Sequence, residues 1–113
     1  MEYGLTEVSQ WLDAHKDSGL IIHKEEDGDF DQIELRLEKV SRGRLKEKDP
    51  DDYVPAETLL LHGDGTIIGE DIPAPLSQGV YEIPLTEGWK VEEIGNILHI
   101  QTDRASYAIQ PKP

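Results

Sequence analysis

Apolar and polar positions change their rhythm once along this chain. From Leu5 to His15 the inward positions Leu5, Val8, Trp11, Leu12 and His15 recur at the three- and four-residue steps of one helix face. Thr6 offers an N-terminal cap, Glu7 stands in the first turn, Lys16 in the last, and Gly19 is the natural stop, so the pattern predicts a helix over 6–18. Beyond Gly19 the period falls to two.

Residues 20–24 and 32–40 flank an acidic turn, and Ile33, Leu35 and Leu37 alternate with Glu34, Arg36 and Glu38, which predicts a hairpin with one face buried. Residues 41–55 are polar, contain Asp49-Pro50-Asp51-Asp52, and read as an exposed loop. Residues 57–62 and 66–70 read as two strands joined at Gly63-Asp64-Gly65, whose glycines suit a tight turn. Pro73 and Pro75 interrupt the chain before residues 80–85, and Pro84 assigns that strand to an edge.

The last quarter predicts a meander of residues 90–94, 97–102 and 105–109 through two-residue turns at Gly95-Asn96 and Asp103-Arg104. Those turns set Ile94 opposite Ile97 and Thr102 opposite Ala105. Trp89, Val91, Leu98, Ile100, Tyr107 and Ile109 then share an apolar face, and Lys90, Glu92, His99, Gln101, Ser106 and Gln110 a polar one. The expected architecture is α+β: one domain spanning 1–113, with an N-terminal helix and about eight antiparallel strands over 20–110. These form a small curled barrel or a two-layer sandwich, the barrel preferred because closure removes edge strands.

Charge narrows the function classes. The 24 acidic and 11 basic residues give a net charge of −13, which repels nucleic acid and anionic membrane and favours encounter with cationic partners. One segment opposes the trend: residues 36–48 hold Arg36, Lys39, Arg42, Arg44, Lys46 and Lys48 against Glu38 and Glu47. It lacks interleaved aromatic rings for stacking bases, so nucleic-acid binding is not expected. Cysteine is absent, which removes disulfides, thiolate ligands and thiol nucleophiles. Without a secretory leader pattern or an 18-residue apolar run, a cytosolic location is expected.

Candidate chemistry is sparse. Asp27, Asp29, Asp31 and Glu38 fall at positions 1, 3, 5 and 12 of a calcium loop, but Gln32 occupies the place of its turn glycine and a strand follows where a helix should. His23, His62 and His99 lie on separate strands, as three zinc ligands could, with nothing in the sequence to bring them together. The serines, Ser9, Ser18, Ser41, Ser77 and Ser106, sit in no nucleophile elbow, and the acid pair Glu70-Asp71 near Asp64 suits surface solvation as well as acid–base work. Enzymatic activity is left open with the balance against it, and no cofactor is expected.

The leading expectation is therefore a non-catalytic interaction protein that meets a basic protein partner. Its candidate contacts are Glu25, Glu26, Asp27, Asp29 and Asp31 in the first hairpin, with Asp49, Asp51 and Asp52 in the following loop. The alternative is a small-ligand binder with Trp89 and Tyr107 lining a barrel mouth and the 41–55 loop as its lid. A metal-dependent hydrolase stands third, and self-association through the polar sheet face is a further expectation.

Overall fold

The computed structural model describes residues 4–44, 57–68, 73–76, 79–86 and 88–112. One helix, α1 (Leu5–Ala14), precedes eight strands: β1 (Gly19–Glu26), β2 (Asp29–Arg44), β3 (Glu57–Ile68), β4 (Ala74–Pro75), β5 (Val80–Leu85), β6 (Lys90–Ile94), β7 (Ile97–Gln101) and β8 (Ser106–Pro111). All belong to one antiparallel sheet, ordered β4-β3-β2-β1-β8-β7-β6, and β5 pairs with the first half of β3. The α+β architecture is the one expected. Among the described residues, however, no strand joins β6 to the β4–β5 edge, and the sheet is open.

The sheet nonetheless curls. Val8, Trp11 and Leu12 of α1 share one buried cluster with apolar residues of β1, β2, β3, β5, β7 and β8. A helix of 10 residues is about 15 Å long, whereas seven strands side by side span roughly 30 Å. That helix alone cannot cover a flat sheet, so the strands must wrap around their own apolar face. Tyr81 of β5 and Tyr107 of β8 pack on the same apolar cluster although β3, β2 and β1 lie between them in the sheet order. Both lie on the concave side.

Three elements differ from their sequence-based expectation. The helix occupies Leu5–Ala14, not 6–18, with Gly4 as its N-cap; the Gly4 N–H donates to Glu7 Oε2 at 2.9 Å. Its C-terminal end is set by two local contacts and one tertiary hydrogen bond. His15 Nδ1 donates to the Trp11 carbonyl at 2.8 Å, its ring stacks on the Trp11 indole, and Asp17, at φ +68°, donates its N–H to the Leu37 carbonyl of β2. With Gly4 as the cap, Thr6 lies inside the helix; with the Asp17 N–H drawn to β2, Lys16 lies beyond its end and Gly19 opens β1.

The turn expected at Gly63-Asp64-Gly65 does not exist. β3 runs through these residues, paired along its length with β2. Opposite Gly63 the β2 register shifts between Leu37 and Lys39, leaving Glu38 as an extra, bulged residue. A Cβ on Gly63 would lie 1.9 Å from the Arg36 carbonyl oxygen, so glycine here serves close backbone approach instead of a turn. Likewise, the loop expected over 41–55 begins later, because Ser41–Arg44 pair with Thr58–Leu60 and Glu57 as part of β2. The remainder of that loop, including the proposed lid and Asp49, Asp51 and Asp52, lies outside the described residues.

The C-terminal meander follows its expected register, with Ile94 opposite Ile97 and Gln101 opposite Ser106. Its apolar face is inward as read: Leu98, Ile100, Tyr107 and Ile109 are buried, and Trp89 and Val91 pack beside them. β5, with Pro84, is an edge strand as expected. The link no local pattern announces is β1 to β8, which seats the first strand against the last, from Leu20 opposite Pro111 to Glu25 opposite Ser106.

Candidate interaction surface

The geometry of the outer face starts from the β1–β2 turn. Asp27 and Gly28 adopt φ values of 50° and 84°, the left-handed pair that a two-residue hairpin turn requires, and Glu26 opposes Asp29. Burial of Ile22 and Ile33 fixes which way every neighbour points, since a one-residue slip would reverse both faces. Alternation from Ile33 then sends Gln32 and Phe30 outward. Phe30, the sole phenylalanine of the chain, is 70% exposed.

Pairing continues across four further strands. On the outer face Ile68, Gln32, His23, Ala108, His99 and Glu92 form one cross-strand row. The neighbouring row, one step toward the turn, is Phe30, Glu25, Ser106, Gln101 and Lys90. Ala108 is the smallest side chain of its row and stands between two imidazoles, His23 and His99. The resulting hollow is an open groove of about 500 Å³, walled by Phe30, Ile68, Gln32, the two histidines and Glu25; Lys24, Asp31 and Tyr107, whose side chains alternate to the concave face, border it as well.

The groove lies in a field of negative charge. Among the described residues Glu25, Asp27, Asp29 and Asp31 have no ion-pair partner; Lys24 is committed to Glu26 at 3.1 Å and lies 6.0 Å from the centre of the Tyr107 ring. Two tyrosines face the concave side nearby. Burial pushes the Tyr81 hydroxyl well above its ordinary pKa, with Tyr107, Asp31 and Glu26 adding to the effect, and its oxygen is buried without a hydrogen-bond partner. Burial also raises Tyr107, against the opposing pull of Lys24.

The sequence-based candidates separate accordingly. Glu25, Glu26, Asp27, Asp29 and Asp31 cluster at the hairpin tip, while Trp89 and Tyr107 belong to the concave apolar cluster, Tyr107 only 4% exposed. The calcium-loop spacing resolves into a β-turn followed by a strand. His23 and His99 do share a row, two strand spacings or about 10 Å apart. His62 does not join them: it bonds Ser41 at 2.7 Å from the bulged half of β3. Among the described residues no group of three or more histidines and acids is arranged to hold a metal ion. The described part of the basic segment, residues 36–44, lies along β2, with Arg36, Lys39 and Arg42 exposed.

Phe30, Ile68 and Ala108 were not singled out by sequence reasoning. The available signal was a lone phenylalanine between two aspartates at a turn, where apolar residues are uncommon.

A curled, open antiparallel sheet with one covering helix and an acidic, aromatic-tipped outer groove defines a small β-rich protein with a surface site. The chain belongs to the YmzB-like protein family, whose model matches residues 1–113. It is 40% identical over 115 residues to the uncharacterised protein YmzB of Bacillus subtilis (strain 168), with 96% of each chain covered. No solved structure matches. No helix among the described residues is long and apolar enough to cross a membrane.

Proposed function

We propose that this protein is a non-catalytic binding protein that engages a basic protein partner through the tip of the β1–β2 hairpin. The observation that carries the reading is Phe30, 70% exposed and directly opposite Glu25 at a hairpin tip that also holds Asp27, Asp29 and Asp31, none of the four acids having an ion-pair partner among the described residues. Scattered exposed apolar side chains are ordinary. Here the ring adjoins a groove of about 500 Å³, and covering a phenylalanine side chain contributes roughly 1.5–3 kcal/mol. The carboxylates add orientation and speed of encounter more than affinity. The absence of cysteine supports a cytosolic setting for this encounter.

The test is titration with an octalysine peptide at low and moderate salt, comparing wild type with the quadruple variant Glu25→Gln, Asp27→Asn, Asp29→Asn, Asp31→Asn. A second quadruple variant neutralises Asp13, Asp64, Glu82 and Glu92, removing the same charge away from the tip. Loss of binding in the first and retention in the second is expected. Equal weakening of both would mean that net charge alone attracts the peptide, and the hairpin reading would fail.

A further inference from the structure

We propose that the groove over Ala108 is an arginine-selective site, in which a guanidinium from an extended basic segment stacks on Phe30 and is held by Glu25. This inference rests on the hairpin reading above and names the chemistry of its partner.

The argument begins with register. Phe30 and Glu25 are direct cross-strand partners on the outer face, which places their Cβ atoms about 4.5–5.5 Å apart. An aromatic face and a carboxylate are thus presented side by side on the groove wall. A guanidinium is planar: it stacks on a ring while its edge donates paired hydrogen bonds to a carboxylate, two contacts an ammonium cannot make together. The arginine stem is three methylenes long and needs an apolar bed. Ala108, with Ile68 beyond it, supplies that bed between His23 and His99.

Charge complementarity selects a foreign cation. Lys24 borders the groove, but its side chain alternates to the concave side, where it is paired with Glu26 and lies against the Tyr107 ring. A second copy of this chain would bring the same unpaired carboxylates of its own tip, on a molecule of net charge −13, and like charges directly opposed disfavour that contact. The hollow, about 500 Å³ and open to solvent on one side, accommodates a side chain together with part of the segment that carries it.

Two peptides of equal length and charge decide the matter, octaarginine and octalysine, titrated calorimetrically at about 0.15 M salt. Wild type is expected to bind the arginine peptide roughly five- to tenfold more tightly, the scale of a partly desolvated cation–π contact. Phe30→Leu keeps an apolar side chain but removes the ring, and should bring that ratio close to one while octalysine affinity is unchanged. Phe30→Trp should restore or increase the ratio, and Ala108→Val should weaken the arginine peptide alone by filling the stem's bed. Circular dichroism of each variant confirms the fold. Equal affinity for both peptides in wild type, or a preference that survives Phe30→Leu, overturns arginine selectivity and leaves the hairpin reading standing. Failure of both peptides to bind overturns the two together.

Discussion

Two rows of side chains, one residue apart on the same strands, have opposite physical roles. The concave row reads Glu93, Leu98, Ile109, Ile22, Ile33 and Ile67; the outer row reads Glu92, His99, Ala108, His23, Gln32 and Ile68. In the first, Leu98, Ile109 and Ile22 are fully buried and Ile33 nearly so. In the second, polar groups surround one small residue and leave a hollow. Pleating alone separates them, which means the position of the outer groove is dictated by what the inner aliphatic side chains require. Burial is concentrated in one row, and the outer row carries the site proposed above for recognition.

That division can be broken most forcefully at Ile22. Ile22→Ala empties a fully buried place between Ile33 and Ile109, and the expected loss is about 2–5 kcal/mol, read from urea denaturation. A loss below about 1 kcal/mol would show that the concave row is not the core it is taken to be. Next comes Gly63→Ala, whose Cβ would collide with the Arg36 carbonyl oxygen; a cost of roughly 1–3 kcal/mol is expected from displaced backbone. An unchanged midpoint there would mean that the bulge at Glu38 adapts freely.

Tyr81 tests the concave side through pH. Its folded-state pKa is raised by burial above the unfolded value of 10.0, so the neutral phenol's contribution is fully present below about pH 10 and is lost as pH climbs above it. Tyr81→Phe deletes a buried hydroxyl that has no partner. It should leave stability at neutral pH unchanged or raise it by about 1 kcal/mol, and it should flatten the decline between pH 10 and 12 relative to wild type. Parallel alkaline unfolding curves for the two proteins would refute this account.

The smallest effect is expected on the outer row. His23→Gln should alter stability by no more than about 0.5 kcal/mol, as exposed substitutions do, because His23 is exposed and no hydrogen bond to its ring is among the contacts described. A larger loss would assign the outer row a structural role alongside the concave one.

Parts of this arrangement were legible in the sequence for physical reasons that differ by region. Gly95-Asn96 and Asp103-Arg104 are two-residue turns, and such turns fix register locally, so both faces of β6 to β8 could be assigned before any coordinates. Gly63 misled because glycine has two uses: freedom in a turn and absence of a side chain where backbones crowd. Only the partner strand reveals which applies. Helix length was overestimated because the Asp17 N–H bonds the Leu37 carbonyl, a contact 20 residues away in sequence.

The candidate site was legible by halves. Glu25 and Asp31 stood out as part of an acidic turn, whereas the groove itself combines side chains of β1, β2, β3, β7 and β8. Its floor, Ala108, acquires meaning only when β8 lies beside β1. Alternation placed His99 on the polar face, but a lone alanine on a polar strand carries no local signal of a hollow.

The β1–β8 pairing also orders events in time. β1 is the middle strand of the sheet, and its second neighbour lies about ninety residues further along the chain. During synthesis the β1–β2 hairpin emerges early with one side of β1 bare, and Ile22 waits for Ile109 until nearly the whole chain has been made. Closing a loop of that length costs about 4 kcal/mol in chain entropy, which the local turns of the last three strands do nothing to reduce. Two partly assembled halves, α1 with β1 to β5 and the terminal meander β6 to β8, are therefore expected to join at a single late seam, and the speed at which that seam zips sets the rate of folding.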